Sequence, residues 1–345
     1  MVNRLNRPII DLHVSPPIID TTRCGRIIMH HLTLFVATSL LLSTIHSQKD
    51  DAVYAVGVPF DIDGVLTQVP VLIHAGESAQ EAVTTFCVTE RPNLCVNADA
   101  QLQILNIVSN TIMIQRERLY PNLVLRTILE AKQVQDAAGK AYHLDSNVAP
   151  DEGLYLYDLI KQYNMTKTLE VGMAYGVSAL YIAQAHQEIG LHQIILPSGH
   201  ANDKTDSSHV VIDPFQSTQW NSIGSLNLMR ANLRQYVRLL EQESHFALPH
   251  LVMHEKGTYQ MCFIDGMHLF DYTLVDFYYS DLLLMPRGFM IFDDAHMPSV
   301  QKVIAHALTN RAYVQIDNGL NNQRVVTLQK VSDDDRKWDF HVDTF

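Results

Sequence analysis

The sequence predicts an α/β fold, a doubly wound and mainly parallel sheet, preceded by a small α+β module. Three observations predict it. Short apolar runs alternate with helix-length segments from about residue 121 to about residue 330. Strands separated by helices of about ten or more residues build a parallel sheet covered on both faces. A glycine-bearing turn lies between an apolar run and a helix at Thr168–Ser178. Ahead of this region, two strand-like runs joined through Asp63-Gly64 belong to a different pattern, that of a hairpin.

Residues 1–50 read as a leader. Leu32–Ile45, LTLFVATSLLLSTI, is uncharged and apolar, preceded by Arg23 and Arg26 and followed by the polar His46–Asp50. That is the length of a signal-peptide core and short of the ~20 residues a spanning helix needs. Met29 stands immediately before it, and a start there would give an ordinary short leader. Residues 29–47 thus point to the secretory pathway or to membrane association through this apolar segment; without them the chain would be cytoplasmic.

Residues 51–118 form the small module. Val56–Phe60 and Val65–Ile73 are the two strands, and Asp63-Gly64 tolerates the positive φ of a tight turn. Ser78-Ala79-Gln80-Glu81 has capping-box spacing ahead of a helix carrying Ala82, Val83, Phe86 and Cys87. Asn97 or Asp99 opens a second helix with Leu102, Leu105 and Val108 at helical spacing. No catalytic constellation stands out here, so an accessory or interaction role is expected.

Residues 119–335 form the main domain. A helix is expected over 122–136, and Pro150-Asp151-Glu152 opens another through Ile160. Strands and helices then alternate: Thr168–Val171, Ala179–His186, Val210–Ile212, Leu226–Leu240, Met261–Ile264, Tyr272–Leu284, Gly288–Phe292, Val300–Thr309 and Arg324–Leu328. Ser198–Ser208 reads as a polar surface insertion. In such a sheet, ligands collect at the carboxyl ends of the strands.

Charge narrows the function classes. With 25 Lys and Arg against 37 Asp and Glu, the formal charge is −12, and no basic run lies in the folded part. Nucleic acid is excluded as a main partner, since phosphate binding needs clustered cations. The four cysteines lack metal-knuckle spacing; Cys87 and Cys95 fit a disulfide or two free thiols equally, and Cys262 reads as a packed thiol.

The chemistry-bearing residues fall at expected strand ends. In Glu170-Val171-Gly172-Met173-Ala174-Tyr175-Gly176-Val177-Ser178, Gly172 lets the backbone turn and approach a ligand, and Gly176 lets the helix start pack closely. By itself this loop fits a dinucleotide site, a methyl-donor site or a plain tight turn. Asp213 ends the next strand, where a ribose is held; it does not separate NAD from S-adenosylmethionine. Asp265 ends a third strand and Asp293-Asp294 a fourth. Three carboxylates at adjacent strand ends repel unless a cation neutralises them, and oxygen-only ligation favours Mg²⁺.

Together, Glu-x-Gly-x-x-x-Gly-x-Ser, the Asp213 strand end, Ile264-Asp265-Gly266-x-His268 and Asp293-Asp294 resemble the catechol O-methyltransferase type of class I, Rossmann-like, S-adenosylmethionine-dependent methyltransferases. Glu152-Gly153, Asp213-Pro214-Phe215-Gln216, Ala247-Leu248-Pro249 and Phe263–Asp294 resemble the macrocin and cephalosporin-hydroxylase-like branch, over roughly residues 145–330. The resemblance implies that the loop Glu170, Gly172, Met173, Ala174, Tyr175, Gly176 and Ser178 binds the donor, with Glu170, Gly172, Gly176 and Ser178 at its methionine part. Asp213 then holds the ribose, Glu243 and Ser244 border the adenine, and Asp265 lies beside the donor. Asp265, Asp293 and Asp294 hold Mg²⁺ or another divalent cation.

His268 stands where the catechol enzymes carry a catalytic lysine, and Asp294 where they carry asparagine. Histidine suits the task of a base, having an unperturbed pKa near neutrality. Catalysis is therefore expected from His268 and Asp265, with a small-molecule hydroxyl as methyl acceptor. A nucleotide-dependent oxidoreductase would explain Gly172, Gly176 and Asp213 but not the later aspartates; a non-catalytic binding protein on the same fold is the other alternative. Residues 122–150 and 295–322 are expected to line the acceptor side. His296 reads as a rim histidine, and His245, His250 and His254 as structural or solvated. Asn164-Met165-Thr166 fits a glycosylation acceptor. Oligomeric state is left open.

Overall fold

The computed structural model describes residues 54–340 apart from 63–64, 75–76, 96, 191–208 and 321–322, together with residue 342. The expected leader, the Asp63-Gly64 turn and the Ser198–Ser208 insertion lie outside the described residues. Among the described residues, no helix is long and apolar enough to cross a membrane.

The hairpin pairs β1 (Tyr54–Ile62) with β2 (Val65–Ile73), Val56 opposite Val71 and Val58 opposite Val69. Alternation puts these four valines on one buried face. The expected capping box opens α1 (Ala79–Thr85): Ser78 Oγ accepts from the Glu81 amide, and the Glu81 carboxylate accepts from the Ser78 amide at 2.9 Å. A disulfide joins Cys87 to Cys95, settling the choice the sequence left open. Asn97, not Asp99, caps α2 (Ala98–Leu119), its Oδ1 accepting from Ala100 N at 2.8 Å. The buried stripe of α2 is Ile104 and Val108; Leu102 is exposed, because the helix turns a face two residues further along to the hairpin.

The helix expected over 122–136 is shorter. Asn122 caps α3 (Leu123–Ala131), and Lys132 ends it in a left-handed conformation, φ 49°. Beyond Lys132 the chain forms β3 (Gln133–Gln135), antiparallel to β4 (Ala141–His143), with Asp136 Oδ1 accepting from the amides of Ala138 and Lys140 across the turn. Propensity favoured helix there, but the Asp136 turn offers these amides another partner. Next, α4 (Pro150–Tyr163) starts as expected on Pro150, and Glu152 accepts from the Ala149 amide at 2.7 Å.

The main sheet then builds from β5 (Thr168–Val171), α5 (Val177–Glu188), β6 (His209–Ile212), α6 (Ile223–Arg230), β7 (Val237–Leu240), α7 (Ser244–Glu255), β8 (Tyr259–Ile264), α8 (Phe270–Leu283), β9 (Leu284–Phe292), α9 (Pro298–Asn310), β10 (Tyr313–Ile316) and β11 (Val326–Lys330). Among the described residues the seven strands lie in the order β10-β11-β9-β8-β5-β6-β7. Six run in one direction; β11 alone is antiparallel, pairing with both β9 and β10. Alternation splits the core into two layers. Val211, Phe263 and Ile291 face α4 and α5, while Leu169, Val171, Ile212 and Ile264 face the layer of α7, α8 and α9.

Two expectations need correction here. Leu226–Leu240 is not one helix: Asn232, φ 56°, interrupts it, and Val237–Leu240 is the edge strand β7. The helix α7 was not foreseen, since Pro249 sits inside it; nor was β10, whose pattern is half exposed.

Candidate active site

The chain runs from β5 outward to β6 and β7, then returns to place β8 on the other side of β5. This reversal opens a crevice at the carboxyl end of β5, the usual ligand position in such sheets. A cleft of about 560 Å³ lies there. Of the expected site residues, Gly172, Met173, Ala174, Ser178, Asp213, Glu243, Ser244, Asp265, His268, Asp293 and Asp294 line it. Glu170, Tyr175 and Gly176 stand behind the loop instead, and are buried or packed against α6.

Gly172 is required twice over. Its φ is +93°, and a Cβ there would lie 1.9 Å from the Asp265 carbonyl oxygen. Gly176, φ +82°, backs onto Gly224 of α6, whose Cα would be 3.1 Å from an added Cβ. Asp213 holds the loop from the neighbouring strand. Its Oδ2 accepts from the amides of Met173 (3.1 Å) and Ala174 (2.9 Å) and from Gln216 Nε2 (3.1 Å), while Oδ1 accepts from Phe215 N (2.8 Å). A carboxylate offers about four lone-pair sites. The protein itself makes four hydrogen bonds to Asp213, so this residue shapes the glycine loop. Asn227 of α6 adds a 3.0 Å hydrogen bond to the Tyr175 carbonyl.

Behind the loop lies a buried relay. Glu170 accepts from Ser178 Oγ and meets His209 Nε2 at 2.9 Å. His209 Nδ1 and His186 Nε2 both reach Thr168 Oγ1, at 2.9 and 2.8 Å. Burial pushes Glu170 up to about 8, the Ser178 hydrogen bond offsetting only part of it. Burial pushes His186 and His209 down to about 3. All three are uncharged near neutrality, so the Glu170–His209 contact is a neutral hydrogen bond rather than an ion pair.

The relay has a pH signature. From about pH 4.5 to 8 the folded state keeps a proton on Glu170 that the unfolded chain has lost, so this contribution to stability fades as pH rises through 8. Below about pH 6.5 the unfolded chain protonates two histidines that the folded state keeps neutral, so their contribution fades as pH falls. Measured as the difference between wild type and variant, so that other titrating groups cancel, Glu170→Gln should flatten the fall in melting temperature towards pH 8 by several degrees. If the difference between the two proteins stays constant from pH 6.5 to 8.5, Glu170 ionises normally and this account fails.

At the ends of β8 and β9 the acidic cluster assembles. His268 Nε2 lies 3.5 Å from both Asp265 Oδ1 and Asp294 Oδ2. One ligand-type atom from each of Asp265, His268 and Asp294 falls within 4.8 Å of the others. Asp293 is not in that set. It is buried, its Oδ2 is 3.6 Å from Arg324 Nη2, and its Oδ1 has no hydrogen-bond partner. Burial pushes Asp265 up to about 6 and Asp293 up to about 7. Contact with Asp265 pushes His268 above its usual range.

Sequence reasoning missed four participants. Arg324 reaches Asp294 Oδ1 at 3.1 Å and Glu152 Oε1 at 3.6 Å, so part of the neutralising cation is built into the protein. Asp276, pushed up to about 6 by burial, lines the cleft and pairs with Ser244. His209 and the buried Glu152 complete the list. Of the segments expected at the acceptor side, 122–150 contributes Asp145–Val148; among the described residues none of 295–322 reaches the cleft.

Residues 169–295 match a family model described as "Methyltransferase domain". Solved structures of similar shape include an O-methyltransferase from Bacillus cereus in complex with SAH (18% identity, 60% of this chain and 90% of that one, TM-score 0.42). Another is an O-methyltransferase from Streptomyces achromogenes in complex with SAM (19%, 63% and 90%, 0.42). A third is an SAH-bound methyltransferase from Podospora anserina (14%, 65% and 95%, 0.47). No curated protein matches the chain. The family match runs from the donor-loop strand through both aspartate-bearing strand ends. It takes in most of the switch-point crevice, and residues 169–295 are therefore similar to a methyltransferase domain carried on a Rossmann-like sheet.

Proposed function

We propose that this enzyme transfers the methyl group of S-adenosylmethionine to a hydroxyl oxygen of a small acceptor, assisted by a divalent cation. The observation that carries the proposal is the convergence of Asp265, His268 and Asp294 beside the donor loop. The residues fit a cation: Asp265 and Asp294 converge on one position, and Asp293 Oδ1 is a buried polar atom with no hydrogen-bond partner. Asp265 and Asp294 would hold it, with Asp293 behind them, and it would supply Lewis acidity toward the acceptor oxygen.

The chain's own residues do the rest. The Gly172–Ser178 loop, backed by Asp213, seats the donor, and Glu243 and Ser244 border its adenine end. In its neutral form His268 takes the hydroxyl proton at Nε2. The acceptor oxygen attacks the sulfonium methyl carbon in line, the new C–O bond forms as the C–S bond breaks, and S-adenosylhomocysteine leaves uncharged. His268 then returns the proton to solvent. Most of the rate comes from holding oxygen and methyl in line.

Calorimetry with S-adenosylhomocysteine and NAD, followed by label transfer from S-adenosylmethionine to a panel of hydroxyl compounds with Mg²⁺ or chelator, tests this. Binding of S-adenosylhomocysteine alone is expected, with transfer falling at least about tenfold in chelator. Undiminished transfer in chelator removes the cation from the mechanism. Transfer only to amines removes the hydroxyl.

From the apolar segment within residues 29–47 we propose, separately, that the chain enters the secretory pathway. The Cys87–Cys95 disulfide supports it, since such bonds persist in oxidising compartments. Alkylation and mass spectrometry of the protein from its native cells should find both thiols blocked; free thiols at both positions would count against it.

A further inference from the structure

We infer that Arg324 is a built-in counter-cation that competes with a divalent ion for Asp294 and so sets the metal affinity of the site. This rests on the cation reading above. The antiparallel strand β11 creates the arrangement. Val326 lies opposite Phe292, so two residues back toward the loop Arg324 falls opposite Asp294, and its carbonyl accepts from Ala295 N at 2.7 Å. The side chain therefore cannot avoid the acidic cluster.

Three carboxylates lie within ion-pair distance of it. Nη2 is 3.1 Å from Asp294 Oδ1 and 3.6 Å from Asp293 Oδ2, and Nε is 3.6 Å from Glu152 Oε1. The other oxygen of Asp294 is the one facing His268 and Asp265. Asp294 is thus shared between the guanidinium and the candidate cation position. Its backbone there is left-handed, φ 47°. A guanidinium and a divalent ion a few ångströms apart repel strongly in a partly buried site. Arg324 keeps the aspartates together when no metal is bound, and opposes the metal that replaces it. As a positioning residue it also ties the cluster to Glu152 at the start of α4, next to the cleft wall at Asn147-Val148.

The test uses the full chain, Mn²⁺ as the probe, and wild type beside Arg324→Gln and Arg324→Lys. Mn²⁺ binding is read by calorimetry and by the free-ion electron paramagnetic resonance signal. Thermal melting is recorded in chelator and in Mn²⁺. Arg324→Gln is expected to bind Mn²⁺ at least about tenfold more tightly than wild type. It should melt below wild type in chelator and recover in Mn²⁺, a reciprocal pattern that a merely structural arginine does not produce. Arg324→Lys keeps the charge but loses the fork, and should fall between the two, a few-fold tighter than wild type.

Binding of S-adenosylhomocysteine reports whether each variant is folded. If Arg324→Gln fails that check, Arg324→Lys carries the test, and an unchanged Mn²⁺ affinity there overturns the inference. Equal affinities in all three folded proteins overturn it while leaving the cation reading intact. No Mn²⁺ binding by any of them overturns both. Binding by Arg324→Gln with none by wild type supports the inference in its strongest form.

Discussion

Asp265→Ala should lower methyl transfer by roughly 10²–10⁴-fold while S-adenosylhomocysteine binding stays within a few-fold of wild type. The two effects separate because Asp265 serves the site in two ways. Its backbone braces the donor loop: the amide donates to the Val171 carbonyl at 2.9 Å, and its own carbonyl faces Gly172. Alanine keeps both. Its carboxylate faces His268 and the β9 aspartates, and alanine removes it. Stability should hold or rise slightly, since burial and the neighbouring Asp294 carboxylate work against the ionised carboxyl. Lost activity will therefore not report unfolding. Asp265→Asn keeps the shape and should lose nearly as much. Initial rates with labelled donor, read beside calorimetry, settle it; rates within threefold of wild type would remove Asp265 from the chemistry.

Gly172→Ala should unfold or greatly loosen the donor site. Two costs add. An alanine at φ +93° carries backbone strain of about 1–2 kcal/mol, and its methyl group would meet the Asp265 carbonyl at 1.9 Å, forcing β5 and β8 apart at roughly 1–3 kcal/mol more. A loss of about 2–5 kcal/mol corresponds to a melting temperature lower by roughly 5–15 °C for a domain of this size. Gly139 in the β3–β4 turn provides the control. Its φ is +82° but nothing lies within 4 Å of an added Cβ, so Gly139→Ala should show the strain alone. If the two variants melt together, the close approach of Gly172 to Asp265 is not what the glycine is for. Donor binding should fail in Gly172→Ala and survive in Gly139→Ala.

Features read from neighbouring residues were legible in the sequence. The strands β5, β6, β8 and the Phe289–Phe292 end of β9 read as mostly apolar runs because both faces are buried there. The Ser78–Glu81 cap and the Pro150 helix start were legible for a similar reason: their partners are three residues away or fewer. Elements with mixed burial were not. Val237–Leu240 and Tyr313–Ile316 are half-exposed strands near the sheet edges, and Ser244–Glu255 hides its helical stripe behind Pro249.

For the site, the sequence determined which residue types stand at which strand ends: glycines after β5, Asp213 after β6, Asp265 after β8 and Asp293-Asp294 after β9. Only the tertiary structure decided how they divide the work. It turned Asp213 onto the loop amides, hid Glu170 against His209, grouped His268 with Asp265 and Asp294, and set Asp293 against Arg324. Local spacing fixes where a side chain leaves its strand. The partner it meets depends on strand order and register, and here the decisive partner, Arg324, reaches the cluster only because β11 runs antiparallel to β9.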